Sequence, residues 1–310
     1  PADVSKTDRL QLLVYKDGAL AGQTTVNGQP PVAWAGGDQI AECTSHGGGA
    51  IVELDATGSN DPDGDTLSFS WTAPGITFDD PNSPTPSAFF PLGDTEVTLS
   101  VADGSLSPPQ KDVITVTVHD TTPPVLSILP DVTIGCDETV PDPVSPEVSD
   151  NCDPNPQLVS YTENRQDDAS CPSAYTLTRT WTAQDNFGNT ASGSRQVSVV
   201  DIVAPAIECN APDAIIPPQA PVSFIATATD NCDEAPSLGI TEYDCFKFTK
   251  KGKPVDKKES CVVNITGNTI SILDSGGVGD HISWVVRATD NCGNVAEDTC
   301  EVEVRNPGKP

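Results

Sequence analysis

Short acidic turns recur along this sequence, and their side-chain oxygens are the groups best suited to chemistry. Residues 230–233 (Asp-Asn-Cys-Asp) repeat residues 150–153, and residues 185–189 and 290–294 share the pattern Asp-Asn-x-Gly-Asn. Clustered carboxylate and amide oxygens favour Ca²⁺, which takes about six to eight hard oxygen ligands. Asp, Asn and Gly are also common turn formers, which explains one such turn well but five of them poorly. We therefore expect calcium binding at these turns.

The elements around the turns are predicted to be β-strands. The turns recur at a spacing of about 80 residues, which indicates a repeated module, and the second copy carries roughly 25 extra residues. Short alternating apolar runs separated by turn residues are typical of β-sandwiches, and the runs place Trp71, Trp181 and Trp284 on their inner faces. The predicted fold class is all-β, with three tandem Ig-like β-sandwich domains and an N-terminal strand extension. The predicted domains are residues 1–30 (the extension), 31–120, 121–201 and 202–310.

Three calcium sites follow from this arrangement. The first lies in the acidic turn of the first module, and it lacks the downstream Glu that an EF-hand loop requires. The other two lie at the module junctions, because a sandwich brings its linker and two of its loops to one end. The predicted ligands are Asn60, Asp61, Asp63, Asp65 and Asp103 in the first site, Asp120, Asp150, Asn151 and Asp185 in the second, and Asp201, Asp230, Asn231 and Asp290 in the third.

Two kinds of known module resemble parts of the chain. Residues 55–65, Trp71 and the Asp-Gly pair at 103–104 resemble the PKD (polycystic-kidney-disease type) Ig-like domain, although the usual Trp-x-Phe-Gly-Asp-Gly signature is replaced after Trp71 by Thr-Ala-Pro-Gly. Residues 178–190 and 287–294 resemble the hyalin-repeat (HYR) Ig-like domains of bacterial surface proteins. The resemblance implies extracellular Ig-like modules.

Composition places the chain outside the cell. There are 45 acidic and 16 basic residues, for a net charge of -29, which argues against nucleic acid or an anionic membrane as partner. No apolar run reaches transmembrane length, so no membrane insertion is expected. Ten cysteines without a Cys-x-x-Cys pair indicate disulfides and a secreted, cell-surface protein. The absence of Met predicts a processed chain or a fragment.

Spacing suggests several disulfide pairings but does not fix them. We expect Cys136 to pair with Cys152, Cys245 with Cys261, and Cys209 with Cys300. Cys232 and Cys292 would then pair with each other, although Cys232–Cys245 together with Cys261–Cys292 fits equally well. Cys43 and Cys171 have no obvious local partner, so each could be a free thiol or form an intermolecular bond.

Two segments have no evident role within a sandwich. Residues 10–26 predict a β-hairpin, which is either the tail of an upstream domain or a strand donated to another molecule's sheet. Residues 246–260 carry six of the sixteen basic residues. This lysine-rich hairpin is either a solvated loop or an electrostatic contact with an acidic partner or another copy.

No catalytic motif is present, and we expect no enzyme activity. The sequence predicts a secreted structural protein, a calcium-stiffened rod of Ig-like modules that acts in cell-surface adhesion, in a matrix, or in a filament assembled head-to-tail. Its partners would be further copies of itself or other cell-surface proteins, with glycans a further possibility. The alternative is a spacer or carbohydrate-binding region of a secreted hydrolase.

Overall fold

The computed structural model describes residues 10–16, 19–26, 29–104, 108–215 and 221–306. Apart from one 3-10 turn at Lys258–Ser260, the regular structure of these residues is β-strand. The strands, in chain order, are β1 (Leu10–Lys16), β2 (Ala19–Val26), β3 (Gln39–Glu42), β4 (Gly49–Glu53), β5 (Ser68–Thr72), β6 (Ser87–Pro91), β7 (Gly93–Ala102), β8 (Gln110–His119), β9 (Val125–Ser127), β10 (Val132–Gly135), β11 (Glu147–Ser149), β12 (Gln157–Asp167), β13 (Tyr175–Gln184), β14 (Thr190–Val200), β15 (Ala206–Glu208), β16 (Ala214–Ile215), β17 (Val222–Ile225), β18 (Thr227–Thr229), β19 (Ser237–Phe248), β20 (Pro254–Asp256), β21 (Val262–Thr266), β22 (Thr269–Asp274), β23 (Asp280–Thr289) and β24 (Val295–Val304).

The chain divides into two compact units, and each has its own core. Unit 1 comprises residues 1–127, 146–161 and 181–193, and unit 2 comprises residues 128–145, 162–180 and 194–310. The predicted all-β, Ig-like fold class is confirmed. The predicted boundaries of the three modules remain a prediction.

Unit 1 contains a two-layer sandwich built by the first module. One sheet has the order β3-β8-β7-β5 and the other pairs β4 with β6. Apolar residues alternate along β7 and β8, so Val97, Leu99 and Val101 point inward from β7. Trp71 on β5 is buried among them and donates its indole N–H to the Ser83 carbonyl at 3.0 Å. The predicted core tryptophan is confirmed.

The remaining described strands that lie wholly in unit 1 form two smaller sheets. The predicted N-terminal hairpin is present, because β1 and β2 form an antiparallel pair with Leu10 opposite Val26. β9 and β11 pair in the same way, with Val125 opposite Ser149. The ends of β8 and β11 lead directly to the acidic residues Asp120 and Asp150.

Unit 2 contains a second sandwich with a larger complement of strands. Its main sheet has the order β16-β24-β23-β19-β20, its facing sheet has the order β17-β22-β21, and β15 pairs with β18. Ile282, Trp284 and Val286 alternate with more exposed residues on β23 and fill the core. Phe224 on β17 stacks on Trp284, with ring centroids 6.0 Å apart. The predicted inner-face tryptophan of this module is confirmed.

The middle module contributes a sheet with the order β10-β14-β13-β12. Leu177, Trp181 and Ala183 alternate with half-buried residues on β13, as the period-two pattern predicts. Arg179 is a buried cation on the same strand. It pairs with Glu163 at 2.7 Å and donates to the Pro141 carbonyl at 2.8 Å, which compensates its burial.

Candidate metal centres

Three buried carboxylates meet in unit 1. Asp120 follows β8, Asp150 follows β11 and Asp185 follows β13, so three strand ends supply one residue each. Each of the three residues is 6% exposed, and each offers a carboxylate oxygen within 4.8 Å of those of the other two. We call these residues the first acidic cluster.

Local hydrogen bonds fix how these side chains point. Asp150 Oδ1 accepts from the backbone N–H of Cys152 and Asp153, both at 2.8 Å. Asp185 Oδ1 accepts from the N–H of Phe187 and Asn189 at 2.8 and 2.9 Å. These are turns in which a carboxylate caps its own loop. The Oδ1 atom of each Asp is therefore engaged by its own turn.

Asn189 joins two members of the first acidic cluster. Its side-chain amide donates to Asp185 Oδ2 at 2.7 Å and to the backbone carbonyl of Asp120 at 3.0 Å. Asp153 has a similar bracing role, because its buried carboxylate accepts from the backbone N–H of Asn186 at 2.8 Å and from its side-chain amide at 3.0 Å. The two loops that supply Asp150 and Asp185 are thus tied together.

Several oxygens of this cluster are buried without a donor. Asp120 Oδ2, Asp150 Oδ2 and Asn151 Oδ1 make no hydrogen bond within the described part of the chain. Burial, followed by the charges of Asp150, Asp185 and Glu42, raises the pKa of Asp120, although a hydrogen bond from Thr122 opposes the rise. Buried charges without partners are costly. A bound divalent cation offsets the repulsion between the carboxylates and coordinates the oxygens that lack a hydrogen-bond donor. The residues present fit a calcium ion.

A second cluster in unit 2 repeats this design. Asp201, Asp230 and Asp290 each place a carboxylate oxygen within 4.8 Å of the others. Asp230 Oδ1 caps its turn through Cys232 and Asp233, both at 2.9 Å, and its buried Oδ2 has no hydrogen-bond partner among the described residues. We call these three residues the second acidic cluster.

Asn294 occupies the position in the second acidic cluster that Asn189 occupies in the first. It donates to Asp290 Oδ2 at 2.8 Å and to the Asp201 carbonyl at 3.2 Å. Burial raises the pKa of Asp201, and the charges of Asp290 and Asp230 add to this rise. Burial also favours a higher pKa for Asp290, but its hydrogen bonds from Asn294, Cys292 and Gly293 outweigh that effect and lower it.

The acidic turn of the first module has a more open geometry. Asp61 Oδ1 accepts from the N–H of Asp63 at 2.8 Å and of Asp65 at 3.2 Å, whereas Asp63 Oδ2 accepts from Gln29 N–H at 3.1 Å. The second carboxylate oxygens of Asp61 and Asp65 are buried without a hydrogen bond in the described ranges.

Asn60 and Asp103 are the remaining predicted residues of the first module. Asn60 is exposed and pairs through its backbone with Val32, and Asp103 lies half-buried after β7. No three carboxylates of this turn fall within 4.8 Å of one another among the described residues. The two junction clusters are therefore more compact than the acidic turn of the first module.

The two asparagines that are predicted as ligands at the module junctions differ in their surroundings. Asn151 Nδ2 donates to the Cys43 carbonyl at 2.8 Å, which leaves its buried Oδ1 available to a metal. Asn231 is exposed, and its amide nitrogen lies 3.9 Å from Cys136 Sγ.

Disulfides lie beside both acidic clusters. The pairs are Cys43–Cys152, Cys136–Cys232, Cys171–Cys292, Cys209–Cys300 and Cys245–Cys261. The predictions for Cys209–Cys300 and Cys245–Cys261 are confirmed.

The other disulfide predictions are wrong. Cys136 does not pair with Cys152, neither arrangement proposed for Cys232 and Cys292 occurs, and Cys43 and Cys171 are not free. The pairings assumed that each module closes its own bonds. Instead, Cys152 and Cys232 sit within the acidic turns, at the module ends, where the nearest thiols belong to the preceding module.

Comparisons with known proteins do not assign the chain to a family. No family model matches the chain, and no curated protein sequence matches it. Among solved structures, it is similar to a nucleoside hydrolase-related hypothetical protein from Saccharophagus degradans that is associated with carbohydrate metabolism (23% identity, TM-score 0.26, covering 30% of this chain and 26% of that one). It is also similar to the PKD domain from KIAA 1837 protein (22% identity, TM-score 0.25, covering 29% and 89%) and to Drosophila N-cadherin EC1-4 (14% identity, TM-score 0.27, covering 98% and 85%).

These likenesses are remote, and they carry no argument about fold or function. The hyalin-repeat resemblance of the later modules remains a prediction. Within the residues that the structure describes, no helix is long and apolar enough to cross a membrane. Five disulfides are typical of proteins from oxidising compartments, which agrees with an extracellular location.

Proposed function

We propose that this chain is a non-enzymatic, secreted structural protein whose Ig-like modules are stiffened into a rod by Ca²⁺. The observation that supports this most directly is the first acidic cluster, where Asp120 and Asp150 each bury a carboxylate oxygen without a hydrogen bond in the described structure. Such an arrangement is strongly unfavourable unless a cation accompanies it.

The ligands would come from the junction residues. In the first cluster, Asp120, Asp150, Asn151 and Asp185 would hold the ion, and Asp201, Asp230 and Asp290 would hold a second ion in unit 2. The ion would supply positive charge and a coordination shell that joins the linker to two loops of the following module. Asn189 and Asn294 would orient the ligands without binding the ion themselves.

Burial of the carboxylates supports a structural role over a catalytic one. Asp120, Asp150 and Asp185 are each 6% exposed, so a substrate has no access to them. A metal held by buried ligands and enclosed by protein is suited to cross-linking chain segments. We infer that the partners are further copies of the chain or other cell-surface proteins, joined head-to-tail in a filament, a matrix or an adhesive layer.

Calcium titration of the metal-free protein tests this function. Calorimetry is expected to show saturable binding, and saturating Ca²⁺ should raise the melting temperature by several degrees, since an ion at a hundred times its Kd contributes about 2.7 kcal/mol. Asp150→Asn should abolish one binding site. Asp142→Asn removes the same charge from an exposed position and serves as the control. Equal binding by both variants, or no binding by the parent chain, would exclude calcium at the first cluster.

A further inference from the structure

The two later modules differ in how many strands they contain. In the last module, β17, β22 and β21 form a three-stranded sheet that faces the main sheet. Between β11 and β13 the middle module has only β12, whereas the last module has β19 to β22 between the corresponding strands β18 and β23. No counterpart of the three-stranded sheet occurs among the described strands of the middle module.

β12 is the strand that this difference leaves uncovered. It lies at the end of its sheet, it is 11 residues long, and none of its residues is buried. Its first five residues, Gln157 to Tyr161, include Leu158, Val159 and Tyr161, which are 37%, 53% and 43% exposed. We call these five residues, all in unit 1, the acceptor segment.

Other edge strands in the described structure are protected against pairing. β3, β5 and β10 contain 4, 5 and 4 residues, and β20 contains 3 and begins with Pro254. Short strands, Pro and Lys are the usual devices that prevent an edge from accepting a new strand. β12 contains neither Pro nor Lys, and its charged residues Glu163, Arg165 and Asp167 lie outside the acceptor segment. A long edge without these devices is suited to strand addition.

The chain also contains a pair of strands without a larger sheet. β1 and β2, with 7 and 8 residues, pair only with each other among the described strands. A two-stranded hairpin is marginally stable in water by itself, and its outer edges present unpaired backbone groups. The run from Leu10 to Tyr15 is mostly apolar in sequence, with Gln11 as its clearly polar residue.

We propose that the hairpin β1–β2 of one copy adds to the acceptor segment of a second copy and extends its sheet. This inference rests on the proposed extracellular structural function, and it identifies the partner as the same chain. Each copy carries one donor and one acceptor, and repetition of a heterologous contact of this kind produces an open filament.

Two complementary variants test the contact in the full chain. Val159→Lys places a charge on the acceptor segment and keeps the donor. A chain that begins at Gln29 lacks the donor and keeps the acceptor. Because each variant lacks one half of the contact, each should remain monomeric alone in analytical ultracentrifugation. An equimolar mixture should form one-to-one dimers, while the parent chain should form longer assemblies.

Controls separate the contact from misfolding and from calcium binding. Val113→Lys makes the same change at a side chain of similar exposure, 50%, on β8, which lies inside its sheet, and this variant should assemble like the parent. We expect the Kd for association of Val159→Lys to be at least about tenfold higher than that of Val113→Lys. Near-ultraviolet circular dichroism verifies that each variant is folded.

The outcomes distinguish this inference from the proposed function. The donor–acceptor contact would be overturned by a monomeric parent chain, by a monomeric mixture, or by normal assembly of Val159→Lys. A monomeric parent is also the result expected if the hairpin pairs within its own chain. Calorimetry on the same samples measures calcium binding independently. If the chain assembles but binds no calcium, the donor–acceptor contact is supported and the calcium-stiffened rod is excluded.

Discussion

Asp120 is a member of the first acidic cluster whose pKa is raised in the folded protein. Burial and the charges of Asp150 and Asp185 raise its pKa. Because the folded-state pKa lies above the unfolded value, the ionised carboxylate destabilises the metal-free protein at neutral pH. That penalty disappears as the pH falls through the folded-state pKa. A bound cation reverses the situation, since the ionised form then becomes a ligand.

The variant Asp120→Asn should therefore show a crossover. Without metal at neutral pH, we expect it to be more stable than the parent chain by on the order of 1 kcal/mol, because one buried charge is removed. The difference should shrink as the pH falls into the carboxyl range. With saturating Ca²⁺ the parent should be the more stable protein. Urea denaturation at several pH values, with EDTA and with Ca²⁺, measures these differences in stability. If Asp120→Asn remained more stable than the parent in Ca²⁺, Asp120 would not be a ligand.

Asn189 is predicted to act by positioning the ligands. Its amide donates to Asp185 Oδ2 and to the Asp120 carbonyl, so Asn189→Ala should loosen two members of the cluster. We expect about a tenfold to hundredfold loss of calcium affinity at the first cluster, in line with the cost of losing an outer-shell partner. The number of bound ions should not change. Asn82→Ala, at an exposed asparagine of the first module, is the control and should leave the calcium affinity unchanged.

At the level of single residues, the sequence predicted which carboxylates meet but not how they are held. Asp120, Asp150 and Asp185 follow the ends of β8, β11 and β13, and such strand ends can be read from the alternation of apolar residues. Asn189 and Asp153 belong to the same motifs, but the sequence did not predict that they position the ligands. A side chain that holds a neighbouring loop looks the same in the sequence as one that only forms a turn. Their repetition at Asn294 and Asp233 was the available signal.

Among the elements, the disulfide Cys43–Cys152 connects the end of β3 with the turn that carries Asp150. It closes a separation of 109 residues, and Asn151 Nδ2 donates to the Cys43 carbonyl beside it. The bond therefore holds the first module to an acidic turn of the next. Such long loops lose considerable entropy when they are closed.

Replacement of both Cys43 and Cys152 by Ser should thus destabilise unit 1 by about 2–5 kcal/mol and also weaken calcium binding. The matched control replaces Cys245 and Cys261 by Ser, which opens a separation of only 16 residues in a hairpin remote in sequence from the acidic turns. We expect that control to retain calcium affinity. Denaturation and calcium calorimetry of both double variants measure the difference, and equal losses of calcium affinity would show that the Cys43–Cys152 bond has no particular link to the cluster.

Strands were more predictable than the bonds between them. The alternation that runs through β7, β8, β13 and β23 identifies an inner face from local sequence alone, and burial of Trp71, Trp181 and Trp284 agrees with it. Disulfide partners depend on which module ends meet. Cys136 and Cys232 are separated by 96 residues, and nothing local distinguishes that pairing from the nearer Cys152.

For the molecule as a whole, the net charge of -29 makes cations stabilising in two different ways. Any salt screens general repulsion between exposed carboxylates, and the effect grows gradually with ionic strength. Ions held by the two acidic clusters should instead saturate and depend on the identity of the cation. Mg²⁺ requires near-octahedral geometry at shorter distances, so we expect it to substitute poorly.

Melting temperatures should therefore separate the two effects. With the ionic strength kept constant by NaCl, added Ca²⁺ is expected to raise the melting temperature by several degrees and then reach a plateau, and Mg²⁺ is expected to do much less. The double variant Asp150→Asn with Asp230→Asn changes the net charge by only two, so screening by NaCl should be nearly unaffected while the calcium-specific rise is lost. If the double variant kept the full rise, or if NaCl alone reproduced it, the stabilisation would come from the overall charge and not from ions bound at the acidic clusters.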